Sequence, residues 1–133
     1  MFVNKIYRLT KNEYKEFAES SDFRESFVAE IEGDKIQSRN DYLNEAWDKL
    51  RFPQTGFINF NAYLDWIRDL DWIKEESVIL VILNFERFLK DDLELKTEIV
   101  ETLDEIVLPW WQEEVLNCVV EGEVRPFNVF LVD

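Results

Sequence analysis

From Phe60 onward, apolar residues recur at helical spacing: Phe60, Tyr63, Leu64, Ile67 and Leu70. At about 100° per residue they gather on one side of a helix. Asn61, Asp65, Arg68, Asp69 and Trp72 fall together on the other side, with Trp66 at the edge of the apolar arc. Asn59 stands just ahead, a residue type whose side-chain oxygen accepts a bond from a free amide of the first turn. The pattern predicts a loop beginning at Phe52 and a helix from Phe60 to about Trp72. From composition alone, the polar stripe reads as the solvated face of a surface helix.

The same reading carries along the rest of the chain. Met1–Tyr7 alternates loosely, as a short strand does. Thr10 and Glu13 have capping-box spacing, and Tyr14, Phe17 and Ala18 mark one face of a short helix ending near Ser20-Ser21-Asp22. Phe23, Phe27, Ala29 and Ile31 alternate with Arg24, Ser26 and Glu30, and the strand is expected to start near Ser26. Glu32-Gly33-Asp34 is a turn signal. Ser38 with Asp41, or Asn40 alone, caps a helix over Asp41–Leu50 that buries Tyr42, Leu43, Ala46, Trp47 and Leu50; Pro53 stops it. Ser77–Asn84 is a continuous apolar, β-branched run, as a strand covered on both faces requires. Glu86–Leu89 reads as a turn or short helix. Asp91 or Asp92 caps a helix to about Val107, with Leu95, Ile99, Leu103, Ile106 and Val107 at core spacing and Pro109 as its breaker. Trp110–Val120 suits a further short helix. Pro126–Val132 closes as a strand, with Phe127, Val129 and Leu131 alternating against Asn128 and Phe130. The expected fold is α/β. A small, mostly parallel sheet of about three strands (Phe27–Ile31, Val78–Leu83 and Phe127–Val132) is packed by helices.

Composition narrows the function more by exclusion than by motif. A chain of 133 residues that is 47% hydrophobic and 15% aromatic is too rich in apolar groups for disorder. It has no His, so the commonest general base and every Ser-His or Cys-His nucleophile scheme are missing. Three Gly form no phosphate loop, and the sequence offers neither a zinc nor a calcium-loop pattern. No cofactor, metal or catalytic residue is expected. Cys118, the one cysteine, sits in the run LNCVV and is read as a core residue. Trp110-Trp111 is either an exposed aromatic anchor or a pair with one ring over the core and the other over the neighbouring extension. No apolar run spans a bilayer and no leader-like segment opens the chain, so a cytoplasmic location is expected. The net charge of −14 repels nucleic acid and anionic membranes and favours a basic protein partner; solubility alone also calls for charge.

The stretch Ile31–Leu70 resembles the barstar family of ribonuclease inhibitors. The run Asn59-Phe60-Asn61-Ala62-Tyr63-Leu64-Asp65-Trp66-Ile67 follows the family's helix without a gap, and so does the segment 31–54, IEGDKIQSRNDYLNEAWDKLRFPQ, upstream. Gly33, Ile36, Ser38, Asp41, Leu50 and Pro53 match in residue type. About a third of the chain resembles the family closely, and the remainder matches in pattern only. The resemblance implies one domain over residues 1–133, with 1–25 an extension and 26–133 the core. It further implies partner binding by Thr55, Phe57, Asn61, Leu64, Asp65, Arg68, Asp69 and Trp72. Asp65 keeps the family's acid. Asn61 stands where the family has another, Thr55 and Gly56 replace its loop tyrosines, Leu64 replaces its Trp, and Phe57 replaces a Gly that here falls one place earlier.

What the resemblance implies for function is an inhibitor or immunity protein with no chemistry of its own. It would block a basic nuclease, a toxin being one candidate, by placing carboxylates where RNA phosphates bind. The second expectation is an interaction module that keeps the fold without inhibiting a nuclease. A carboxylate-based enzyme is a third class with no positive sign in the sequence.

Overall fold

The computed structural model describes residues 2–53 and 56–133. Its centre is the run Val78–Leu83, whose first five residues are buried. This strand, β3, pairs in parallel with β2 (Phe27–Glu32) on one side and β4 (Phe127–Val132) on the other. A further strand, β1 (Ile6–Leu9), pairs in parallel with β4, so the sheet has the order β1-β4-β3-β2. The sheet thus has four strands where about three were expected. The added one begins just inside the N-terminal stretch whose alternation was weakest, and Asn128 Oδ1 and the Asn4 side chain stitch it to the start of β4.

The register sorts side chains by face. Ile6, Val129, Leu80 and Ala29 form one row across the sheet, and Leu131, Ile82 and Ile31 another. These rows join the larger core cluster, beneath α3 (Arg39–Lys49), α4 (Phe60–Ile67) and α5 (Leu93–Thr102). Ile79, Val81, Phe130 and Val132 point to the opposite face, where Tyr14 and Phe17 of α1 (Lys11–Ala18) and Phe23 of α2 (Ser21–Glu25) cover them. The continuous apolar character of β3 follows, because both its faces are covered. Each fully buried aliphatic side chain there contributes about 1.5–3 kcal/mol over an exposed one. Tyr14 donates to Glu30 at 2.6 Å; burial first, and then Glu30, raise its hydroxyl pKa.

Local signals explain the element ends. Thr10 and Glu13 form the expected capping box. Ser38 Oγ accepts from the Asp41 amide at 3.1 Å, and Asp41 Oδ2 accepts from the Gln37 amide at 2.9 Å. Gly33 opens a 3₁₀ turn that passes close to the end of β3: a Cβ there would lie 2.4 Å from the Leu83 carbonyl oxygen. Phe23 lies in α2 and not in an extended lead-in, because Ser20 caps that turn through the Phe23 amide.

The C-terminal helical run departs from expectation. Pro109 does not break it: π-helical turns at Leu103–Val107 and Trp110–Glu114 flank Leu108-Pro109, and the run continues through α6 (Val115–Cys118). In a regular α-helix the proline ring would meet the carbonyl four residues back. Here the turn ahead of the proline is widened to i→i+5 bonding, as between the Leu108 amide and the Leu103 carbonyl. The wider turn also keeps the core at spacing four. Leu95, Ile99, Leu103 and Val107 are buried, while Ile106, expected inside, is 38% exposed. Cys118 is likewise exposed, contrary to the core placement read from its neighbours, because only Val115 of α6 reaches the core.

Candidate functional site

Helix α4 starts where the sequence places it. Asn59 Oδ1 accepts from the Ala62 amide at 2.8 Å, with Asn59 itself in extended backbone. Tyr63 and Ile67 are its buried residues. The Tyr63 hydroxyl meets that of Tyr42, from α3, at 2.6 Å in a fully buried pair, and their rings cross edge to face. Burial raises the pKa of both hydroxyls, so both stay protonated and one donates to the other, locking α4 to α3.

The helix ends at Ile67, a turn earlier than the apolar spacing suggests. Leu70 adopts a left-handed backbone, φ 51°, which no α-helix continues through. The orphan carbonyls at this end are taken up from the C-terminal part of the chain. Trp111 Nε1 donates to Ile67 O at 3.0 Å. The Arg125 guanidinium donates to Leu70 O, Ile73 O and Glu75 O at 3.1, 2.8 and 3.1 Å. Burial lowers the pKa of Arg125, which nonetheless stays a cation. Sequence reasoning missed this residue. A lone Arg next to Pro126 carries no local signal, and the acceptors lie some fifty residues away.

The expected partner-binding residues divide into groups. Asn61 and Asp65 stand outward on α4, one turn apart; the Asp65 side chain is 79% exposed, with Arg68 Nη2 at 3.5 Å. Arg68 is only a third exposed. Its Nε donates to Leu64 O at 3.1 Å, and its guanidinium lies over the Trp110 ring at 5.4 Å. Leu64 is half-buried beside the core. Phe57 precedes the helix at 89% exposure, beside Ile58 at 43%. Thr55 lies outside the described residues.

Asp69 and Trp72 follow the helix end, so the angular reading that put them in line with Asp65 does not hold. Asp69 is exposed in the turn, and partial burial of its carboxyl followed by the nearby charge of Asp71 raises its pKa. Trp72 is turned inward, contrary to its place on a polar stripe. It is half-buried, its indole donates to Leu50 O at 3.0 Å, and its ring packs on Phe52 and Trp66. Of the Trp pair, Trp111 is buried and Trp110 half-buried beneath Arg68.

The inner side of this short helix is locked to α3, and its outer side carries Asn61 and the carboxylate of Asp65, with the exposed Phe57 just ahead of it. Within the described residues no group of three or more potential metal ligands gathers, and no helix is long and apolar enough to cross a membrane. The sequence pattern of one family, Barstar (barnase inhibitor), matches residues 26–131, and the chain belongs to that family. The match begins at the residue before β2, so β1, α1 and α2 lie ahead of the family's extent. No curated protein matches the chain.

Proposed function

We propose that this chain is an inhibitor, or immunity protein, that binds a small basic ribonuclease and blocks it sterically and electrostatically, without chemistry of its own. The observation that carries the reading is the outward carboxylate of Asp65 on a rigidly anchored helix, in a chain of the Barstar family. Asp65, Asn61 and the exposed Phe57 form the centre of the contact, with Asp69, Arg68 and the edge of Leu64 around it, and Thr55 contributing from the loop. Trp72 acts from behind, as a support for Phe52 and the helix end. A cytoplasmic site of action and one functional unit over residues 1–133 belong to the same reading.

The chemistry is charge replacement. A ribonuclease active site is built to hold phosphate oxygens with Arg, Lys or His, and a carboxylate can accept the same charge-assisted hydrogen bonds. The acid surplus of the whole chain favours approach to such a surface. The test is a titration of purified chain against barnase and other small basic ribonucleases, reading RNA cleavage and direct binding. Stoichiometric loss of cleavage supports the reading; undiminished cleavage by every one of them, with no binding at micromolar concentration, overturns it.

A second reading has its own observation. Arg68 stands beside Asp65 and partly neutralises it, while Asn61 lacks a charge. An interaction module that binds a basic protein without inhibiting it fits that weaker carboxylate set. Binding of a ribonuclease with cleavage unaffected selects this second reading.

A further inference from the structure

Behind the C-terminal end of α4 runs a broad groove of about 1260 Å³. One wall is the stretch 68–76; the other is the helical run at Trp111–Val119 with the loop that follows it. Leu116, Val119 and Val124 line it and are 55%, 45% and 37% exposed, and the neighbouring Val120 is 92% exposed. Single apolar side chains are ordinary on a surface, but a contiguous set rimmed by polar groups marks an interaction site.

The rim has one dominant sign. Asp69, Asp71, Glu76, Glu121 and Glu123 line the same groove. Two of its three cations are already engaged. Arg125 holds three backbone carbonyls, and Arg68 is held by Leu64 O, Asp65 and the Trp110 ring. Lys74 is left to face five carboxylates. A second copy of the chain would bring acidic rim against acidic rim in a molecule of net charge −14. An uncharged apolar partner would desolvate the carboxylates without supplying a counter-charge. The matching chemistry is an apolar side chain flanked by Lys or Arg. Arg68, which pairs with Asp65 of α4, also lines this groove, and Asp69 follows it at the helix end, so the two surfaces adjoin.

We infer that the groove takes up an extended segment of the basic partner in which an aliphatic or aromatic side chain is flanked by Lys or Arg, extending the footprint from Phe57 through α4 to Val124. The identity of that partner rests on the inhibitor reading; the preference for a basic-apolar segment rests on the groove alone. Crowding of Asp69 and Asp71 points the same way, since an incoming cation relieves it.

The experiment is an NMR titration of the ¹⁵N-labelled full chain with the synthetic peptide acetyl-Lys-Arg-Leu-Val-Lys-Arg-amide. The control peptide carries Glu at every basic position. Saturable shifts are expected over residues 69–74 and 115–124 with the basic peptide only. Leu116→Ser and Val124→Ser, both at exposed positions, should each weaken the peptide about fivefold. The double change Asp69→Asn with Asp71→Asn should weaken it while leaving the fold intact by circular dichroism. No response, an equal response to the acidic peptide, or shifts confined to the outer face of α4 would overturn the inference. So would concentration-dependent shifts of the groove without peptide, which assign it to a second copy. A chain that binds the basic peptide in the groove but inhibits no ribonuclease keeps this inference and removes the inhibitor reading. A chain that inhibits one with undiminished affinity after Leu116→Ser and Val124→Ser does the reverse.

Discussion

Asp65 is the residue on which binding should turn. Its carboxylate is exposed, the Arg68 guanidinium stands 3.5 Å from it, and the helix beneath it is fixed by buried groups. Truncating one partner of a charge pair that becomes buried on binding costs about 2–5 kcal/mol, much of it from the cation left unpaired. Asp65→Ala should therefore weaken the complex with a ribonuclease by roughly that amount. Its thermal melt should correspond to a stability change within about 0.5 kcal/mol, as for exposed substitutions generally. Equal affinity for parent and variant in calorimetry would remove this helix face from the site. Asp69 behaves differently. Its pKa is raised above the ordinary 3.8, by partial burial and then by Asp71, so the folded state holds its proton more tightly than the unfolded state does. Stability is lost as pH rises through the window that opens near 3.8, and the loss is complete above the raised value. Asp69→Asn should thus stabilise the free protein slightly at neutral pH, by less than about 0.5 kcal/mol because solvent screens the site. That gain should vanish in melts taken below the ordinary carboxylate pKa. A bound cation reverses the preference, so complex formation should release protons and weaken as pH falls into that window.

At the scale of elements, the site depends on how α4 is held. The hydroxyls of Tyr42 and Tyr63 meet in a fully buried pair, and removing one strands the other. Tyr63→Phe or Tyr42→Phe alone should each destabilise by about 1–3 kcal/mol, the cost of an unpaired buried polar group. The double variant should cost less than the sum of the two, which denaturant unfolding of all four proteins would reveal. Additive losses would mean that the hydroxyls are solvated or bonded elsewhere. The start of α4 was legible because capping is local: Asn59 and the amide it binds are three residues apart. Its end was not, because the carbonyls there are satisfied by Trp111 and Arg125, from the far end of the sequence. The same distinction covers the other departures. Ser38 and Thr10 caps are local and were read correctly. Passage of a helical run through Pro109 depends on π turns that no hydrophobic spacing encodes, and with them went the inward place of Ile106. Trp72 was placed by extrapolating a helix that stops five residues before it.

For the whole molecule, the sheet and the charge tell different stories. The central strand, its two parallel partners and the alternation within β4 could be read directly, because a buried run and a period of two are properties of the sequence itself. For the fourth strand, the loose alternation of Met1–Tyr7 points to a short strand but not to its place in the sheet, since β1 joins by pairing with β4 across more than a hundred residues. The charge is a property of composition, and its arrangement gives it a consequence. Acids outnumber bases 29 to 15, no charged residue is buried among the described residues, and three ion pairs are found there. The outer side of α5 alone exposes Glu94, Glu98 and Glu101, of which Glu98 is paired to Arg39. Most of the surplus therefore projects into solvent, where it acts as a field extending over about one Debye length, roughly 8 Å at physiological salt. A field of that kind raises the rate of encounter with a basic partner more than it tightens the finished complex. The association rate with a ribonuclease should fall about tenfold or more as salt is raised from low to high ionic strength, while the dissociation rate changes far less. Stopped-flow association across a salt series measures this directly. Steep decline in the association rate alone would assign the surplus to steering; a rate flat across the series would leave the acids with solubility as their role and would detach the charge of the chain from its binding face.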